Sequence, residues 1–267
     1  MVKELSTVAV KKDTVRIRKV RPKTIMSWLR SGWRDFRQAG WPSMMHGLIV
    51  AGMSLIIIEI GLLFWPLLPG AISGFLVVGP ILATGLYALS KRLEQGQSTG
   101  RRDVFIAWRH GARSLLLFGL LLVVVATAWV LVSMVLFHYF VAVEIEGPLM
   151  FLRYVFEQDD GTFLLWTVLA GMVAAVVFAI TVVSVPLLVD RDVTTQMALT
   201  TSVRAVGENP VTMSAWALFI LLTTGFCLAT FMVGFIVIYP LLGHASWHLY
   251  RDVVDASMLP PRRPVSA

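Results

Sequence analysis

Near its C-terminus the chain reads PLLGHASWHLYRD, residues 240–252. His244, His248 and Asp252 recur every four residues, so a helix would set them on one face. Two imidazoles and a carboxylate in one line are a ligand set for a divalent metal. The same spacing suits the polar rim of a membrane helix, with Trp247 and Tyr250 in an aromatic belt and Arg251 at the water edge. Both readings stay open at this level. A second residue of interest is Glu59, inside MSLIIIEIGLLF. A carboxylate at that depth of an apolar helix costs about 2.5–3.5 kcal/mol on insertion scales, so it needs a partner or a proton. Glu59 reads as a proton or cation relay, or as a packing contact, with His138 as its candidate partner.

Little else in the chain is equipped for chemistry. There is one cysteine, Cys227, which excludes an internal disulfide, a CxxC pair and a thiolate zinc site. No phosphate loop, dinucleotide fingerprint, Ser-His-Asp set or HExxH occurs, so the chain is expected to be no enzyme and to need no cofactor. The cluster Asp190, Arg191, Asp192, Arg204 and Glu208 reads as a solvated ion-pair network.

The elements that must carry these residues are set by composition. Of 267 residues, 57% are hydrophobic and only 15% charged, and the mean hydropathy is +0.77. Soluble domains carry about 25% charged residues. Apolar runs of about 20 residues recur, each long enough to cross a bilayer. The expected fold class is an all-α membrane protein of about six transmembrane helices in three hairpins, with cytoplasmic amphipathic helices. Spans are expected at about 44–66, 70–90, 114–140 and 162–188. The stretch 211–243 would be about 50 Å long as one helix, so it is either steeply tilted or two spans hinged near Thr223, Thr224 and Gly225; six spans are expected, with five spans or a re-entrant element as the alternatives. The expected domains are a mobile basic tail over 1–23, an interfacial amphipathic helix over 24–40, a transmembrane domain over 41–255 and a short tail over 256–267.

Charge sets the orientation. Eleven of the 23 Lys and Arg precede the first span, and six lie between 91 and 113. The loop 144–161 holds five carboxylates and only Arg153. Positive-inside logic places both termini in the cytoplasm of a bacterial inner membrane. In TIMSWLRSGWRDFRQAG, Trp28 and Trp33 fall with Ile25, Leu29 and Phe36 on one face, and Arg30, Arg34 and Arg37 on the other. That helix lies in the membrane surface or packs on the protein's own cytoplasmic side. The +7 net charge points to anionic lipid headgroups rather than nucleic acid. Pro80, Pro186 and Pro240 sit late in inbound spans and are expected helix breaks, each followed by an Arg-Asp-Val at 102–104, 191–193 and 251–253.

The stretches SGFLVVGPILATGLYALSKRLEQGQ (73–97), PLLVDRDVTTQMALTTSVRAVGENP (186–210) and YPLLGHASWHLYRDVV (239–254) resemble a domain-of-unknown-function family of bacterial integral membrane proteins over roughly residues 40–255. Its members are often labelled cytochrome c oxidase subunit I. The resemblance implies an inner-membrane location and partners among other membrane-complex subunits or further copies of the chain. It supplies no characterised activity. A haem-copper catalytic subunit resembles a bundle of about twelve helices with six metal-binding histidines. This chain has five histidines in all, His46, His110, His138, His244 and His248, so oxidase catalysis by it is excluded. Accessory subunit and proton-coupled transporter remain the competing expectations.

Overall fold

The structure is a computed structural model, and it describes residues 15–64, 67–100, 113–140, 147, 150, 153–158 and 161–262. Ten helices of seven residues or more lie among the described residues. In chain order they are α1 (Ile25–Ala39), α2 (Trp41–Leu63), α3 (Leu68–Leu82), α4 (Thr84–Glu94), α5 (Arg113–Phe140), α6 (Thr162–Thr181), α7 (Ser184–Asp190), α8 (Thr195–Glu208), α9 (Pro210–Ala229) and α10 (Phe235–Val253). Strands β1 (Arg16–Ile17) and β2 (Val254–Asp255) pair antiparallel. The chain is an all-α membrane protein.

Five helices are long and apolar enough to cross a bilayer: 41–63, 70–94, 113–139, 162–190 and 210–229. The sixth expected span, α10, is not among them. It carries Pro240, two histidines and Arg251–Asp252 in 19 residues, which lowers its hydropathy below what hydrocarbon selects. The expected hinge at Thr223–Gly225 is also corrected. α9 runs through it, with Thr223 Oγ1 bonded back to the Phe219 carbonyl at 2.8 Å. The chain reverses later, at Thr230–Gly234, where Phe231 and Met232 have φ of 50° and 67°.

The proline expectation is met in two places and not in the third. Pro80 lies at the end of α3, just before the break at Ala83. Pro186 lies in α7, just after the break at Val182 and Val183. Side chains from other helices mend both breaks. Tyr239 O–H donates to the Gly79 carbonyl at 3.0 Å, and Ser202 Oγ accepts from Val183 N–H at 3.1 Å. Pro240 sits inside an unbroken α10. The first Arg-Asp-Val, at 102–104, lies outside the described residues.

Residues 15–23 are not a free tail. Val15 and Ile17 are buried, β1 is zipped to β2, and Val20 N–H donates to Asn209 Oδ1 at 2.8 Å. Edge backbone that finds a partner strand and a buried face has no reason to stay in solvent.

The core is not in the most apolar segments. α5 and α6 expose Leu116, Leu120, Val124, Leu131, Leu164, Val168 and Met172, the surface expected of helices solvated by lipid. The buried residues concentrate in α4, α7 and α10, the three segments around or after the prolines. There Leu86, Leu89, Val185, Leu187, Ala245, Trp247 and Leu249 are fully enclosed. Gly243 lets α10 approach α4, since a Cβ there would strike the Leu86 side chain.

Candidate functional site

α1 presents Trp28, Gly32, Asp35 and Ala39 inward, a stripe of period 3.6. Gly32 makes it possible, because a Cβ at that position would meet the Ala245 backbone at 2.7 Å. The close approach carries Asp35 into the groove between α4 and α10. Four side chains join it in one connected network. Ser90 O–H donates to Asp35 Oδ2 at 2.8 Å, and His248 Nε2 donates to the same oxygen at 2.8 Å. His244 Nδ1 lies 2.7 Å from Ser90 Oγ, and His244 Nε2 lies 2.8 Å from Ser43 Oγ.

Counting donors fixes the direction of this chain. An ionised carboxylate only accepts, and a serine has a single proton. Ser90 spends its proton on Asp35, so His244 must donate through Nδ1, and its Nε2 accepts from Ser43. Asp35, Ser43, Ser90 and His244 are all buried. Burial alone would raise the Asp35 pKa. The His248 and Ser90 hydrogen bonds and the neighbouring histidines outweigh it and hold the carboxyl below its ordinary value. Next to this network, His46 donates from Nδ1 to the Pro42 carbonyl at 2.8 Å and lays its ring on Gly85. Its buried Nε2 has no partner among the described residues.

A second buried carboxylate, Asp190 at the end of α7, ties the three core segments together. Lys91 of α4 pairs with it at 3.1 Å, Arg191 at 3.0 Å and Arg251 of α10 at 3.6 Å, while Tyr250 O–H donates to it at 2.8 Å. The expected solvated cluster is thereby divided. Asp190 is a buried hub, whereas Arg204 and Glu208 form a separate surface pair at 3.0 Å.

The structure places the sequence candidates as follows. His244, His248 and Asp252 do not converge. His244 engages Ser43 and Ser90, His248 engages Asp35, and Asp252 accepts from Trp28 Nε1 at 2.7 Å. Among the described residues no group of three or more His, Cys, Asp or Glu is arranged to hold a metal ion. Glu59 is exposed on the outer face of α2, beside Ile56 and Ile60, with no hydrogen bond or ion pair among the described residues. His138 is exposed too, its ring edge-on to Tyr139 at 5.1 Å, and nothing joins it to Glu59. Trp28 is buried, its ring 6.0 Å from that of Trp216, so it is removed from the expected lipid-contact set. Arg30, Trp33, Arg34 and Arg37 do face outward.

Residues 67–190 match the family model of a predicted integral membrane protein, DUF2189. That description names no oxidase. The match takes in α3 to α7, and with them Ser90, Lys91 and Asp190. It begins after Asp35, Ser43 and His46 and ends before SVRAVGENP and GHASWHLYRD, so those three residues, His244 and His248 lie outside the DUF2189 segment. No curated protein and no solved structure matches the chain.

Asp35, Ser43, Ser90 and Asp190 were not singled out as buried polar sites by sequence reading. One signal was available for Asp35. It stands seven residues after Trp28 with Gly32 between them, which marks one tightly packed helical face.

Proposed function

We propose that this chain is a non-catalytic scaffold or accessory subunit of a membrane assembly. One observation carries the reading. Asp35, Ser43, Ser90, His244, His248 and Asp190 spend their hydrogen bonds within the protein, joining α1, α2, α4, α7 and α10 into one block. The crevice between α2, α3 and the α9–α10 turn, lined by Ser54, Phe75, Met232 and Phe235, leaves about 10 Å³, room for about one water. Binding sites for small molecules typically enclose about 300–1,000 Å³.

The location proposed is a bacterial inner membrane with both termini cytoplasmic. Its support is the Lys and Arg excess around the first span and the 91–113 loop. The outward Arg30, Arg34, Arg37 and Trp33 of α1 suit anionic lipid headgroups, with Trp41 opening α2 one residue past Gly40. Partner subunits are sought first in respiratory complexes, since the family resemblance carries that label. Purification from native expression levels in mild detergent, with mass spectrometry of what accompanies the chain, tests the proposal. Stoichiometric recovery of subunits of another complex supports it, and recovery of this chain alone sinks it. The transporter reading rests on Glu59. It requires proton-dependent uptake that Glu59→Gln abolishes and Glu59→Asp keeps.

A further inference from the structure

We infer that α9 and α10 form a re-entrant hairpin, which enters the membrane from the side of the termini, turns within the hydrocarbon and returns without crossing. The chain then crosses four times, through α2, α3–α4, α5 and α6–α7.

The register along neighbouring helices carries the inference. The first two turns of α9 lie in the layer of the termini. Thr212 Oγ1 donates to the Val20 carbonyl at 2.9 Å, and Trp216 meets Trp28 of α1. About 13 residues of α9 remain beyond Trp216, a rise of about 20 Å, against a hydrocarbon thickness of about 30 Å. The returning arm agrees. His244 sits level with Ser43, at the start of α2, and a Cβ on Gly47 would strike the Ile236 carbonyl. Met232 and Phe235 form a buried cluster with Val50 and Ala51, with Ile58 packed on it, and line a crevice with Ser54 and Ile57 of α2 and Phe75 of α3. From Ile58 α2 runs on to Leu63, about 8 Å further. The turn therefore stops about a turn and a half of helix short of the far end of α2.

The turn is also built to live without water. Five of its amides are satisfied locally: Thr230 N to Phe226 O, Phe231 N to Leu228 O, Met232 N to Cys227 O, Val233 N to Thr230 O, and Phe235 N to Met232 O, all at 2.9–3.2 Å. Thr230 turns its hydroxyl back onto the Phe226 carbonyl at 2.9 Å. Backbone at membrane depth survives only when its polar groups are met in this way. Phe231 and Val233, 83% and 64% exposed, offer apolar surface to lipid. No Asp, Glu, Lys or Arg occurs between Pro210 and Tyr250, so no charge draws the turn toward the far water. Parity agrees as well. β1 and β2 pair, so both ends of the described chain lie on one side, and the crossings must be even in number. Five crossings cannot satisfy that; four with a hairpin can, as can six, and the depth of the turn decides between those two. The Asp35–Ser90–His244 network then faces the termini side only, beneath an apolar tip.

Cysteine accessibility tests this. In a Cys227→Ala background, Phe231→Cys and Val233→Cys are compared in sealed vesicles of both orientations with Met258→Cys, on the termini side, and Phe156→Cys, in the α5–α6 connection. An impermeant charged maleimide is expected to label Met258→Cys from one face and Phe156→Cys from the other. It should leave the two turn positions unlabelled from either face, until detergent is added and both react. Labelling of the turn from the Phe156 face at a rate within about tenfold of Phe156→Cys would mean a full crossing and overturn the inference. Labelling from the Met258 face overturns it too. Turn cysteines silent even in detergent also overturn it, since the tip would then be enclosed by protein and not facing lipid.

Discussion

The half of the molecule near the termini and the half beyond it are built on opposite rules. Around α1, α4, α7 and α10 the buried residues include Asp35, Asp190, His244 and several serines, and each carboxylate is surrounded by donors. Along α5, α6 and the outer part of α2, many apolar residues face outward, and Glu59 stands among them with no hydrogen bond or ion pair among the described residues. The difference follows from the solvent. Lipid is as apolar as leucine and drives no association between apolar faces, so helix contacts rest on close packing and polar bonds. The layer near water can add a conventional buried core and a two-stranded sheet. Buried polar residues therefore mark the packed layer near the termini, and exposed apolar ones mark the lipid-facing helices.

The contrast breaks most visibly if Asp35 and Glu59 respond alike. Asp35→Ala strands His248 and Ser90 in a closed site and is expected to cost about 3–5 kcal/mol, read as a large fall in the detergent melting temperature. Glu59→Leu removes an unpartnered carboxylate from an apolar face and is expected to leave stability unchanged or raised. Equal losses would show that Glu59 has a partner, in this assembly or another.

Glycines sharpen the same comparison at a smaller scale. Gly32→Ala and Gly47→Ala drive a Cβ into the Ala245 and Ile236 backbones and should cost about 1–3 kcal/mol. Gly171→Ala and Gly225→Ala meet nothing within 4 Å and, as helix-interior glycines, should gain up to about 1 kcal/mol. Thermal unfolding of the four variants in one detergent settles the ranking.

A pH profile comes next. The Asp35 pKa is depressed in the fold, so the folded state binds this proton less readily than the unfolded chain does. Its stabilisation is therefore complete above the ordinary carboxylate value of 3.8. It fades as pH falls below that value and is gone below the folded one. Unfolding measured from pH 6 down to pH 3 should lose stability in that acid window, and Asp35→Asn should show a shallower decline. The smallest effect belongs to the surface. Breaking the Arg204–Glu208 pair, about 40% exposed on each side, should change stability by no more than about 0.5 kcal/mol.

Much of the architecture could be read before any coordinates. Helical class, most span limits and the amphipathic α1 are properties of local composition and period. Pro80 and Pro186 were legible as breaks because a proline in a helix removes a donor whatever surrounds it. Pro240 was misread for the complementary reason: whether a helix bends there depends on its neighbours. The inward face of α1 was misjudged in the same way. Trp33 and Phe36 are as apolar as Trp28, but only the Trp28–Gly32–Asp35 stripe matches the close approach of α10.

The sequence by itself determined that the chain resides in a membrane as a bundle of helices, because about 20 apolar residues with satisfied backbones have one stable form in hydrocarbon. Only the tertiary structure decided which polar residues are partners. His244, His248 and Asp252 share a spacing, yet each turns to a different neighbour, since hydrogen bonds are chosen by what the surrounding helices bring within about 3 Å, and sequence spacing carries no information about that.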